Sequence, residues 1–231
     1  MKNYLIIGGS SGIGEAIVEK LSKENDVNVT ASYFSQPKED FENVQYFHFN
    51  VDLDNLAYQS LPEEIHGFVY CPGAIVLKPF HRLTEESVVE DFKLQVVGAM
   101  LTIQAVLPKL KVAQSASIVL FSTVAVKQGF NFHAQVAMSK GAIEGLTKSL
   151  AAEFAPGIRV NCIAPSLTDT PLAEKMLNSE EKRAANAERH PLKSIGLPAD
   201  SAELALFLLS EKSRWMTGQI IHLDGGMSSI N

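Results

Sequence analysis

Short apolar runs alternate with longer amphipathic ones along the chain. Near-continuous hydrophobic stretches of strand length lie at Tyr4–Ile7, Val27–Tyr33, Val44–Phe49, Gly67–Tyr70, Ala116–Phe121, Ile158–Ile163 and Gln219–Leu223. Such runs suit strands buried on both faces, the habit of parallel sheets. Between them, hydrophobic residues recur at helical spacing over Gly12–Lys23, Glu85–Val112, Phe132–Phe154, Pro171–Glu188 and Ala199–Leu209. Alternation of this kind predicts an α/β fold: a doubly wound parallel sheet of about seven strands with helices on both faces. No repeat, low-complexity tract or Pro/Gly-rich linker divides the 231 residues, so a single domain over 1–231 is expected.

The first strand-to-helix junction carries the most specific local signal. Ile6-Ile7-Gly8-Gly9-Ser10-Ser11-Gly12-Ile13-Gly14 follows a strand and opens a helix, the context in which a glycine pattern reads as a dinucleotide-binding turn. Glycines let the backbone turn tightly and approach a pyrophosphate, and the free N–H groups of the helix start attract its charge.

Composition narrows the remaining classes. A net charge of -6 and a pI near 5.5 leave no broad basic surface for a nucleic acid. Cys71 and Cys162 stand far apart in apolar runs, which reads as two reduced thiols. The N-terminus has too short an apolar run for a signal peptide, and Val96–Pro108 falls short of the ~20 residues of a membrane span. A cytoplasmic protein with no membrane partner is expected, and no metal site is read from the sequence.

The turn Gly8-Gly9-Ser10-Ser11-Gly12-Ile13-Gly14 resembles that of the short-chain dehydrogenase/reductase family, usually Thr-Gly-x-x-x-Gly-x-Gly. Ile7 takes the threonine's place, and Gly8, Gly12 and Gly14 are the three glycines. Further segments match in order. Phe49-Asn50-Val51-Asp52 resembles the family's adenine-pocket segment, and Ile103-Gln104-Ala105-Val106-Leu107-Pro108 the end of its long fourth helix. Gly157–Pro165 resembles the sixth strand, and Met216-Thr217-Gly218-Gln219 with Asp224-Gly225-Gly226 the C-terminal strand and tail. The resemblance implies a Rossmann-type fold and NAD(P)(H)-dependent oxidoreduction of a small-molecule carbonyl or alcohol.

In that family a tyrosine exchanges the substrate proton, and a lysine four residues later lowers its pKa and holds the nicotinamide ribose. A serine binds the substrate oxygen, and an asparagine supports a water relay. Carried over, Lys140 falls on the lysine, Val136 on the tyrosine, Thr123 on the serine beside Ser122, and Gln95 on the asparagine. Valine cannot donate a proton. None of the five tyrosines, Tyr4, Tyr33, Tyr46, Tyr58 and Tyr70, lies between Phe121 and Leu150. His133 is the replacement acid the spacing offers: if the helix already runs there, it shares a face with Lys140. Lys140, Thr123, Ser122 and His133 are therefore the candidate catalytic residues.

The resemblance also implies a cofactor set. Gly8, Ser10, Ser11, Gly12, Ile13 and Gly14 would hold the phosphates, Ser32 the adenosine ribose, and Asn50 and Val51 the adenine. Cys71 and Gly73, in the segment Val69-Tyr70-Cys71-Pro72-Gly73-Ala74, would pass close to the cofactor, with Tyr70 packed under the sheet. Lys140 would reach the nicotinamide ribose, and Pro165, Thr168 and Thr170 the nicotinamide amide. No carboxylate ends the second strand before Glu39, and hydroxyls at Ser32 or Ser35 with Lys38 suit a 2′-phosphate, so NADP(H) is favoured over NAD. Residues 171–191, mixed in charge, should form a substrate lid. Small residues Ala99, Ala134, Ala137, Gly141, Gly145 and Ala151 on the two long helices predict a two-fold homo-oligomer, a homodimer or homotetramer. Two other readings stay open: a nucleotide-binding homologue without turnover, serving as sensor or partner subunit, and a purely structural subunit.

Overall fold

A computed structural model describes residues 1–51 and 61–230. Seven strands, β1 (Lys2–Ile7), β2 (Val27–Tyr33), β3 (Val44–His48), β4 (Gly67–Tyr70), β5 (Ala116–Phe121), β6 (Ile158–Pro165) and β7 (Ile220–Leu223), form one sheet. Its order is β3-β2-β1-β4-β5-β6-β7, and every pairing is parallel. The order reverses between β1 and β4, and a doubly wound sheet opens a crevice at the carboxyl ends of the strands flanking such a reversal.

Alternation within each strand divides the core into two layers. Leu5, Ile7, Phe68, Ile118, Leu120 and Val160 point to one face, where they meet Ile103 and Ile143 of helices α3 (Gly98–Val112) and α5 (Ala134–Phe154). Ile6, Val29, Val69, Val119 and Ile163 point to the other. There they meet Ile17 and Val18 of α1 (Gly12–Leu21) and Ala205 and Leu208 of α8 (Pro198–Leu209). Each large side chain so buried contributes roughly 1.5–3 kcal/mol relative to exposure. Among the described residues no helix is long and apolar enough to cross a membrane.

Three expected helices are reshaped. The stretch Glu85–Val112 is α2 (Glu85–Phe92), a π-helical turn at Lys93–Val97, and α3. The helix expected from Phe132 begins at Ala134, because Phe132 adopts φ 70° and cannot continue into a right-handed turn. The stretch Pro171–Glu188 breaks into a 3-10 turn at Pro171–Ala173, α6 (Glu174–Leu177) and α7 (Glu180–Glu188). A short helix α4 (Val124–Lys127) follows β5.

Candidate active site

The glycine turn is built by steric demand. Gly8 has φ +79°, and a Cβ on Gly14 would fall 2.0 Å from the Gly8 carbonyl oxygen, so only glycine lets α1 start against the end of β1. Ser11, the N-cap of α1, makes no side-chain capping bond, which leaves the first-turn amides free for an anion. The turn borders a groove of about 580 Å³ lined by Gly8, Ser10, Ser11, Gly12, Ile13, Gly14, Ser32, Asn50, Val51, Cys71, Gly73 and Thr170. Asp52, named with Asn50 and Val51, lies outside the described residues. Ser32 is buried, and its Oγ accepts from the Gly8 amide at 2.9 Å, so it braces the turn. Phe34, Ser35 and Gln36, just beyond β2, line the adjacent groove wall. Lys38 pairs with Glu15 at 2.5 Å.

A second cavity of about 370 Å³ adjoins the groove, and Ile13, Cys71, Gly73, Thr170 and Leu172 border both. Lys140, Thr123, Ser122, His133, Val136, Gln95, Pro165 and Thr168 all line this cavity. Apart from Lys38, the described candidate catalytic and cofactor-binding residues named from the sequence thus all lie on one of two contiguous walls. Apolar side chains, among them Ile75, Leu77, Val124, Phe130 and Met176, form much of the second.

The side chains differ in what they have free. Ser122 is buried and its hydroxyl donates to Glu144 Oε1 at 2.7 Å, so it is turned into α5. Thr123 Oγ1 accepts from the Ala125 amide at 3.3 Å, and its hydrogen remains available to the cavity. His133 precedes the first residue of α5. Its Nδ1 lies 2.7 Å from the Asn131 carbonyl and must carry the hydrogen there, and its ring packs beside Phe130. Val136 is buried one turn before Lys140.

Burial lowers the Lys140 amine to about 8. Burial also raises the Cys71 and Cys162 thiols to about 12, so both are neutral where the lysine titrates, and Asp91 is the anion that supports its charge. Asp91 is itself buried, with its carboxylate accepting from Gln95 Nε2 at 2.8 Å and Ser139 Oγ at 2.5 Å. The π turn places Gln95 at this point. Gln95 Oε1 is buried without a hydrogen-bond partner, and a Cβ on Gly73 would sit 3.3 Å from it and 3.5 Å from Lys140 Nζ. An unused acceptor and an amine therefore flank the same glycine backbone.

Two contributors were not read from the sequence. Tyr70, expected only to pack, donates its hydroxyl to the Leu94 carbonyl at 2.6 Å and so caps a backbone group within the π turn. Ser166 and His190 line the second cavity and are 2.8 Å apart, Oγ to Nε2. A histidine at the end of a charged stretch gave no sequence signal of a serine 24 residues earlier.

Comparison with known proteins agrees with this geometry. The family model described as enoyl-(acyl carrier protein) reductase matches residues 8–228. A 3-oxoacyl-(acyl-carrier-protein) reductase of Aquifex aeolicus is 31% identical over 98% of this chain and 97% of its own. A tropinone reductase homolog of Arabidopsis thaliana is 30% identical over 97% of this chain and 78% of its own. The crystal structure of a short chain dehydrogenase family protein from Francisella tularensis superposes with a TM-score of 0.89 at 30% identity, covering 99% of both chains. With its glycine turn, sheet order and paired cavities, this chain belongs to the short-chain dehydrogenase/reductase family of oxidoreductases.

Proposed function

We propose that the protein is an NADP(H)-preferring oxidoreductase that interconverts a carbonyl and an alcohol on a compound with an apolar body. The observation that carries this reading is the shared wall of groove and cavity, with Lys140 and Thr123 on the cavity side of it. The glycine turn, shaped so that a Cβ at Gly14 would strike backbone, fits a pyrophosphate. When bound, the nicotinamide supplies or accepts hydride.

The chain's own residues do the rest. The Lys140 amine holds the ribose and sets a positive charge beside the reacting oxygen. The Thr123 hydroxyl donates to that oxygen and orients it. The buried Asp91 carboxylate supports the Lys140 charge, and the apolar wall excludes water from the reacting carbon. Val136 leaves the family's usual proton donor without a counterpart, and His133 at the cavity edge is one group able to replace it.

No carboxylate lines the groove beyond β2 among the described residues, and Glu15 is neutralised by Lys38. A 2′-phosphate meets no repulsion there, which favours NADP(H). The two free thiols suit a reducing compartment, and we place the protein in the cytoplasm. The test is turnover of NADPH with a panel of apolar carbonyl probes: phenanthrenequinone, benzil and acetophenone. Reduction of at least one is expected. Cofactor binding with no turnover of any would assign the chain to nucleotide binding without chemistry.

A further inference from the structure

We propose that Ser166 and His190 form a proton relay for the substrate cavity, Ser166 protonating the substrate oxygen and His190 resupplying Ser166. This rests on the oxidoreductase reading above and concerns the proton-transfer step for which Val136 offers no group.

The pair is fixed from both ends. Ser166 directly follows β6, where its amide donates to the Leu223 carbonyl at 3.1 Å. His190 follows α7, is 3% exposed, and packs beneath Gly225, whose Cβ would lie 3.4 Å from the His190 Cβ. His190 Nδ1 stands 2.9 Å from the Asn186 carbonyl oxygen. A carbonyl only accepts, so Nδ1 carries a hydrogen in either charge state, and Nε2, 2.8 Å from Ser166 Oγ, is the nitrogen that exchanges protons. A neutral ring accepts the serine hydrogen. A protonated ring donates to Oγ and turns the serine hydrogen toward Met227 Sδ, 3.6 Å away on the wall of the cavity, which Ser166 and His190 line together with Lys140, Thr123 and Val136.

In reduction, hydride arrives at the carbonyl carbon and the C=O π pair moves onto oxygen. That oxygen takes the proton of Ser166 Oγ–H while Oγ takes the proton of His190 Nε2–H. The ring is left neutral with Nδ1–H on Asn186, and Nε2 regains its proton from water once product leaves. Oxidation runs the same transfers backwards. Glu188, Arg189 and Lys193 lie within three residues of His190 in sequence, Asp224 adjoins the Gly225 that packs on its ring, and Lys140 lines the same cavity. The Asp224 carboxylate is held by the Gly226 and Ser228 amides, and Asp169 in the loop after β6 is paired with Arg183.

Two measurements test the relay. In cofactor-free protein, heteronuclear NMR of the imidazole nitrogens, assigned with His190→Gln, should show the neutral His190 ring protonated at Nδ1, with its Nε2 signal moved in Ser166→Ala. An Nε2–H tautomer would overturn the relay. In phenanthrenequinone reduction at saturating NADPH, Ser166→Ala and His190→Gln should each lower kcat ~10²-fold with KM nearly unchanged, and Ser166→Thr should recover most of the loss. Wild-type kcat should fall with rising pH in two limbs, one from loss of the Lys140 charge that every variant keeps and one that His190→Gln lacks. A purely structural role would move KM or stability and leave that profile intact, which counts against the proposal. Wild-type kcat and profile in both variants, or loss of the second limb in His133→Ala and not in His190→Gln, sinks the relay and spares the oxidoreductase reading. No turnover of any carbonyl probe by the cofactor-bound wild type removes both.

Discussion

At the scale of single residues, two positions carry the heaviest constraints. Gly14 cannot bear a side chain where its Cβ would meet the Gly8 carbonyl at 2.0 Å. Gly14→Ala should therefore displace α1 from the turn, destabilise the fold by about 1–3 kcal/mol and weaken NADPH binding at least tenfold, read by denaturant melts and titration. Lys140 is the second. Its folded pKa of about 8 lies below the ordinary 10.5, so below pH 8 both folded and unfolded states are protonated and the folded state bears the full cost of the buried charge. Between pH 8 and 10.5 the unfolded chain keeps a proton that the folded chain has released, so stability from this group rises with pH across that window. Lys140→Met should abolish that rise. Subtracting its denaturation midpoints from those of the wild type isolates the lysine from other groups titrating there, and equal slopes would show an amine that is not desolvated.

Elements explain what was legible in the chain and what was not. Strand positions and sheet class follow from continuous apolar runs, and all seven strand windows agree with the structure to within two residues at each end, while the glycine turn landed where its spacing pointed. Helix interruptions were hidden, because a single π turn with its i→i+5 bonds shifts the hydrophobic phase by only one residue within a long run and Phe132 has no residue-type signal for φ 70°. Of the cavity residues near in sequence, Lys140 and Val136 were implied by the family resemblance, and His133 by its helical spacing from Lys140. Ser166 with His190, and Tyr70 with Leu94, were not, since each contact depends on the tertiary path of the chain. The π turn itself is open to test. Tyr70→Phe deletes the donor to a backbone carbonyl and should cost about 1–3 kcal/mol in chemical denaturation. Because Gln95 sits in that turn, the variant should also lower turnover, and unchanged stability would mean the phenol does not support the turn.

For the whole molecule, the outer faces of α2–α3 and α5 bear on assembly. Ala99 and Ala151 are buried within the chain, so those two small residues serve the core. Leu101, Met100, Phe92 and Met138 are exposed, and a Cβ on Gly145 would meet nothing within 4 Å. We propose that a second copy of the chain covers this face in a two-fold dimer or a tetramer. Light scattering after size exclusion should give a multiple of 25.2 kDa, and Leu101→Glu should lower it; a wild-type monomer would end this expectation. The reading of groove and cavity as one working site is tested most directly by titrating the purified protein with NADPH and with NADH while following nicotinamide fluorescence. Saturable micromolar binding is expected, tighter for NADPH and weakened by Lys140→Met. No binding of either nucleotide at millimolar concentration would contradict it.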